Sequence, residues 1–171
     1  RASQLQQDTV LLEKNSSLGK KLLLSGKGRC NLTNACGLEL FLKRFSKNGP
    51  FLRDAFKKFF NQDLMDFFET RGLKLKVERQ LRVFPLSDSS LSILQVLKEE
   101  LEYNRVTVMY NTKAEGIAID EKRVQGVFTA GKNLLPAHRV ILATGGMSYS
   151  FTGSSGDGLR FARQSGHRLV T

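Results

Sequence analysis

Ser25-Gly26-Lys27-Gly28-Arg29-Cys30-Asn31-Leu32-Thr33-Asn34 packs two glycines, two cations and two amides into ten positions. It follows Thr9-Val10-Leu11-Leu12-Glu13-Lys14, a short apolar run ending in a carboxylate. An acid at the C-terminal end of a dinucleotide-fold strand reads a ribose. A second apolar run, Ile141-Leu142-Ala143-Thr144-Gly145-Gly146, ends in a double glycine. In that order the two stretches predict a dinucleotide-binding α/β fold in which Glu13 and both glycine turns converge on one groove. No Gly-x-Gly-x-x-Gly precedes the first strand, and Arg1 stands where such a fingerprint would just have ended, so the sequence reads as a protein with its front removed.

Composition bounds the rest. At 171 residues, 40% hydrophobic and 25% charged, the chain suits one ordered soluble domain. No apolar stretch approaches the roughly 18–20 residues that span a bilayer, and Arg1 to Gln7 lacks the apolar segment of a signal peptide. The expectation is a cytoplasmic protein without a membrane partner. Cys30 and Cys36 are the only cysteines and the two histidines lie far from them, so neither a disulfide scaffold nor a metal site is expected. The net charge of +11 invites nucleic acid. Between Phe41 and Arg82, however, eleven Lys/Arg and five Asp/Glu alternate with phenylalanines at helical spacing, the pattern of a solvated face, which argues against nucleic acid as partner.

Along the chain, residues 1–7 read as the tail of a helix and Thr9 to Glu13 as a buried parallel strand. Residues 38–104 turn mainly helical. Pro50 suits a first turn, and one apolar stripe runs from Leu52 through Phe56, Phe60 and Leu64 to Phe68, stopped by Arg71-Gly72. Nine of the twelve phenylalanines lie between Phe41 and Phe84, and their spacing predicts core rather than a ligand cage. Leu73 to Phe84 reads as a strand pair or extended connection. Ser87-Asp88-Ser89-Ser90 caps a helix whose apolar side is Leu91, Leu94, Leu97 and Leu101. Residues 106–110, 116–119 and 123–128 form a small meander turning at Asp120-Glu121-Lys122. Arg139 to Ala143 returns to a buried parallel strand. A short helix follows Gly153-Ser154-Ser155-Gly156-Asp157-Gly158, with Leu159 and Ala162 inward and Gly166 as its stop. No capping signal precedes Thr171, so a continuation is expected.

Glu13 is the sharpest single candidate: its carboxylate suits both ribose hydroxyls, and it equally suits a plain surface position beside Lys14. The loop Gly26-Lys27-Gly28-Arg29-Cys30-Asn31 supplies main-chain donors, cations and an amide, as a pyrophosphate or anionic ring requires, and equally reads as a bare turn. Neither His138 nor His167 pairs with a nucleophile, so no catalytic residue is assigned.

With those residues in view, the sequence resembles the HI0933-like and BaiN-like bacterial NAD(P)/FAD-dependent oxidoreductases, a flavoprotein family. The likeness rests on residues 11–14, on Gly19-Lys20-Lys21 leading into 25–34, on Arg82-Val83-Phe84-Pro85-Leu86-Ser87-Asp88, on 141–146, and on 153–158 with Gly166-His167. It implies a partial FAD-binding dinucleotide fold of glutathione-reductase type, α/β (α+β overall), with a helical insertion and a small β-meander. The implied divisions are 1–37 in the FAD-binding fold, 38–104 as the insertion, and 105–171 as meander and return. The resemblance also implies that the first strand, a substrate-side β domain after Thr171 and a segment closing over the flavin lie outside these residues. It assigns Glu13 to the adenosine ribose, and Lys14, Gly28, Arg29, Cys30 and Asn31 to the flavin. Ala143, Thr144 and Gly145, with Gly146 beside them, flank the dinucleotide, and Ala114 reads adenine through its backbone. FAD is the implied cofactor, NAD(P)H the candidate electron donor, and an unidentified small organic molecule the substrate. A further chain or segment is expected to complete the sheet. The rival reading from the residues alone is a basic binding module for RNA or an acidic partner.

Overall fold

In the computed structural model, which describes residues 2–5 and 7–170, the apolar run after Thr9 forms β1 (Val10–Leu12). It lies parallel to β5 (Thr107–Met109), with Leu11 opposite Val108. The pairing extends past both ends: Thr107 N donates to Thr9 O at 3.1 Å and Glu13 N to Met109 O at 2.9 Å. Parallel pairing of strands so distant in sequence is the signature of α/β architecture. The parallel α/β pairing expected from the sequence is therefore present.

By compactness the chain divides into two units, Arg1–Lys21 with Tyr103–Thr171 and Leu22–Glu102. In the first unit, β6 (Ala114–Asp120), β7 (Arg123–Thr129) and β8 (Asn133–Pro136) form an antiparallel meander. Glu121 and Lys122 turn its first hairpin with φ of 44° and 62°, the two positive angles of a type I′ turn. The meander differs from expectation at both ends. β5 leaves it for β1, because parallel partners are not legible in local spacing, and β8 joins it as an edge strand, where Pro136 is tolerated. The last helix, α6 (Asp157–Gln164), buries Phe161 rather than Leu159, which is half exposed. Gly166 ends it at φ 87°, with its own N–H on Arg163 O and that of His167 on Ala162 O.

Three further expectations for this unit are corrected. β1 is only partly buried, since among the described residues it has one ladder partner and its remaining edge is open. Residues 139–143 form no strand: no ladder partner lies beside them among the described residues, and Ile141 is 82% exposed instead of buried. The helical tail expected over residues 1–7 is a 3-10 turn, Ser3–Leu5, held by the Ser3 hydroxyl on Asn104 O. Arg1, Gln6 and Thr171, on which parts of these readings fall, lie outside the described residues.

The second unit holds β2 (Thr33–Asn34), β4 (Arg82–Pro85) and β3 (Leu75–Glu78) as an antiparallel sheet in that order. Around it lie α2 (Leu38–Lys43), α3 (Arg53–Lys58), α4 (Asn61–Glu69) and α5 (Ser90–Tyr103); α1 (Lys20–Leu24) leads into the unit. Cys30, Phe68, Ile93 and Val96 form its core, with Leu32, Leu64, Phe67 and Leu75 against them. That packing, with β2 paired to β4, places residues 22–37 with the helical segment, whereas the sequence divided the chain at 37/38.

The long stripe from Leu52 to Phe68 is not one helix. The backbone is extended at Phe59 and Phe60, and Asp63 accepts the Phe60 N–H at 2.7 Å to start α4. Pro50 lies inside a 3-10 segment, Ser46–Leu52. Gly72, at φ 82°, closes α4 with Leu73 N on Phe68 O and its own N–H on Glu69 O. α5 turns Ile93, Leu94 and Val96 inward, while Leu91, expected inside, is 62% exposed. The phenylalanines divide as well: Phe68 and Phe84 are core, whereas Phe51 stands free in solvent. Among the described residues no helix is long and apolar enough to cross a membrane.

Candidate functional site

The end of β1 is built around Glu13. Its backbone is held in the parallel ladder, with its carbonyl accepting Thr112 N–H at 2.9 Å. Its carboxylate is oriented by the next turn, where Oε1 accepts the Asn15 backbone N–H at 2.8 Å and the Asn15 Nδ2 at 2.7 Å. One oxygen is thus fixed and the carboxylate keeps acceptor capacity for a diol.

Asn15 also donates to Thr152 O at 3.3 Å, which brings the loop before α6 to the strand end. Lys14 reaches the same loop: its Nζ donates to Ser155 Oγ at 2.6 Å and pairs with Asp157 Oδ2 at 2.9 Å. Lys21 donates to Ser148 O and to Ser154 Oγ. Gly153 takes φ of 104°, where an L-residue is strained, and a Cβ there would come within 2.9 Å of Asn15 Nδ2 and 3.1 Å of Lys14 Cε.

The Ala143–Gly146 turn lies against the other side of this loop. Gly146 O accepts the Gly156 N–H at 3.3 Å, a Cβ on Gly145 would stand 3.1 Å from Ser154 Oγ, and one on Gly158 would collide with Thr144 Oγ1. Nothing lies within 4 Å of where a Cβ on Gly146 would be, so its main chain is open to a ligand. Glu13 and the second glycine turn therefore meet through residues 152–158. Ala114 opens β6 opposite Thr129 in the same unit.

Asp157 anchors the cluster. The Ser155 hydroxyl, then Lys14 and Arg160, hold its carboxyl well below the usual carboxylate range, against the opposing effect of burial. A depressed folded-state value gives stability that is present above the unfolded carboxylate range, near pH 4, and lost as pH falls below it. The melting temperature is expected to drop below about pH 4, and Asp157→Asn is expected to flatten that part of a calorimetric pH series while lowering stability at neutral pH.

The first glycine loop belongs to the second unit. Gly26, Lys27, Gly28 and Cys30 all take positive φ, and Cys30 N donates to Ser25 O at 3.0 Å to close the loop. The Cys30 side chain is buried in the core, which leaves only its main chain free to meet a ligand. The Arg29 guanidinium is engaged internally: it pairs with Glu78 at 2.6 Å and Asp88 at 2.8 Å and lies 4.1 Å over the Phe84 ring. Lys76 joins the same two carboxylates. Lys27 projects into solvent and Gly28 is bare, with only Leu23 O within 4 Å of a Cβ position.

Asn31 opens onto a groove of about 260 Å³ lined by Thr33, Asn34, Phe41, Arg44 and Phe45 as well. Asn61, buried at the start of α4, fastens its floor by donating to Asn34 O and Cys36 O at 2.7 and 2.8 Å. Sequence reasoning missed the groove, because Phe41, Arg44 and Phe45 carry the spacing of any amphipathic helix.

A family model, the HI0933-like protein Rossmann domain, matches residues 1–171. The chain is 35% identical over 160 residues to a 3-dehydro-bile acid delta(4,6)-reductase of Clostridium scindens, across 93% of this chain and 38% of that protein. It is 29% identical to a ribosomal RNA dihydrouridine synthase of Escherichia coli, across 99% of this chain and 41% of that protein. A protein of the same description from Haemophilus influenzae is 26% identical, across 98% and 42%. The chain thus spans about two fifths of the length of these relatives.

Proposed function

The chain belongs to the HI0933-like Rossmann-domain family, and from that premise we propose that it is the dinucleotide-binding part of an FAD-dependent oxidoreductase. The observation that carries the reading is Glu13, a carboxylate fixed at the end of a parallel strand and joined through residues 152–158 to a double-glycine turn with open backbone. The residues fit FAD by their chemistry. In the first unit Glu13 suits the adenosine ribose and the Thr144–Gly146 main chain suits close approach of the diphosphate; in the second unit, taken by itself, the bare Gly28 and the Asn31 amide suit the polar edge of a flavin. Lys14, Arg29 and Cys30 contribute backbone rather than side chains, since theirs are already engaged or buried.

FAD, when bound, supplies two-electron chemistry, and the protein binds and orients it. The relatives' names favour a reaction class: one reduces a bile acid, and dihydrouridine is uridine with two hydrogens added. We assign this chain to the reduction of an unsaturated ring in an organic substrate, with NAD(P)H as electron donor. The two buried thiols, Cys30 and Cys36, are both unpaired, which favours a reducing cytoplasm as the compartment. The open edge of β1 and the exposed apolar run at Ile141 favour a further strand, from another segment or chain, completing the sheet.

Titration of FAD into the protein, followed by flavin fluorescence and absorption, is expected to give weak but saturable binding that ADP-ribose displaces. Absence of saturable binding at millimolar FAD would sink the reading.

A further inference from the structure

We propose that Glu78 and Asp88 set the ligand specificity of the first glycine loop by holding the Arg29 guanidinium against Phe84. The loop then meets a ligand through the Gly28 main chain and the Asn31 amide, and takes an uncharged planar ring in preference to a phosphate. The ring rests on the flavin reading, whereas the exclusion of phosphate rests on the ion pairs alone.

Residue order gives the opposite expectation. An arginine directly after Gly28, with Lys27 two positions earlier, offers the planar fork that grips phosphate. The structure turns that fork inward. Lys76 and Glu78 stand two apart on β3 and so share a face, with Phe84 and Arg82 opposite them on β4. Arg29 Nη2 donates to Glu78 Oε1 at 2.6 Å, its Nε lies 2.8 Å from Asp88 Oδ1, and its central carbon sits 4.1 Å over the Phe84 ring. Phe84 is itself buried, so this platform is fixed.

Asp88 arrives from a third element, the turn between β4 and α5, where it takes φ of 52° and its N–H donates to Pro85 O at 3.0 Å. Lys76 Nζ donates to Asp88 Oδ2 at 2.6 Å and lies 3.4 Å from Glu78 Oε1. The bond from Lys76, with Arg29 beside it, holds the Asp88 carboxyl below the usual carboxylate range against the opposing effect of burial. Two cations therefore face two carboxylates, and Arg29 is already matched in charge.

Beside the exposed Lys27, what stays open on the loop is neutral. Only Leu23 O comes within 4 Å of a Cβ position on Gly28, and the Asn31 side chain forms no hydrogen bond among the described residues. An amide and bare main chain match the polar edge of a neutral ring and lack the charge that phosphate requires.

The test is titration of inorganic pyrophosphate by calorimetry, and of riboflavin by fluorescence, into the full chain and into its Glu78→Gln/Asp88→Asn variant. Glutamine keeps the size of the side chain and asparagine tolerates the positive φ at position 88, so the fold is expected to persist, as a melting curve will show. Pyrophosphate is expected to bind the variant at least about tenfold more tightly, with a steeper salt dependence, while riboflavin binds about tenfold more weakly. A clamp that only stabilised the loop would move both ligands together. Asp88→Asn alone is expected to shift both affinities in the same two directions by smaller factors. Adding Arg29→Gln to the double variant is expected to remove most of the pyrophosphate gain, since Lys27 and Arg82, which form no ion pair among the described residues, are common to all these proteins. Riboflavin binding by none of them would count against the flavin reading, and the pyrophosphate titrations would still decide the clamp. Pyrophosphate affinity unchanged by loss of both carboxylates, a gain that Arg29→Gln leaves intact, or riboflavin bound measurably and equally by parent and variant would overturn the proposal.

Discussion

Gly26→Ala is expected to lower stability by about 2–4 kcal/mol in urea denaturation, while Gly28→Ala, two residues away, costs about 1–2 kcal/mol. Both glycines have positive φ, 57° and 84°, so each replacement carries the left-handed penalty of an L-residue. They differ in what the new methyl meets. At Gly26 it would stand 2.6 Å from the Asn31 backbone nitrogen and 3.3 Å from Phe84 Cε1. Neither neighbour can retreat: Asn31 lies between the buried Cys30 and Leu32, whose N–H is on Val83 O at 2.8 Å, and Phe84 is itself core. At Gly28 the nearest atom is 3.9 Å away. Equal stability of the two variants would show that the loop yields at Gly26, and that the core does not set its shape.

The helices and their stops were largely legible because their signals are local. The serines before Leu91 start α5, and Gly72 and Gly166 end α4 and α6, since each needs only the residues within a turn of itself. The break at Phe59–Phe60 was not legible. Phenylalanine is no capping signal, so the apolar period ran through a point where Asp63 starts a new helix.

Strand pairing was legible only where a hairpin joined the partners. β6 and β7 meet across two residues, but β5 pairs with β1 almost a hundred residues earlier, and nothing local distinguishes such a partner from a meander neighbour. Residues 139–143 show the converse: a Val-Ile-Leu run states that a strand would be stable if buried, not that a neighbour lies beside it. Of the site, the acid and the glycines could be read from residue type. The internal engagement of Lys14 and Arg29 could not, because their carboxylate partners lie between about fifty and one hundred and forty positions away in sequence.

The second large effect is expected at Glu13. Glu13→Gln keeps the size of the side chain and an oxygen for the Asn15 donors at 2.8 and 2.7 Å, so the turn after β1 should persist. What it removes is the negative charge that the proposed site would offer to a ribose diol. A hydrogen bond to a charged group contributes about 1.5–3 kcal/mol, which corresponds to a factor of roughly ten to one hundred and fifty in affinity. The measurement is the Kd for ADP-ribose and for FAD, compared between Glu13→Gln and the parent protein at matched pH and salt. A rise of at least about tenfold for both ligands, with melting unchanged, is the result expected if this strand end holds the adenosine half of the cofactor. Equal affinities in the two proteins would place the nucleotide elsewhere and contradict it.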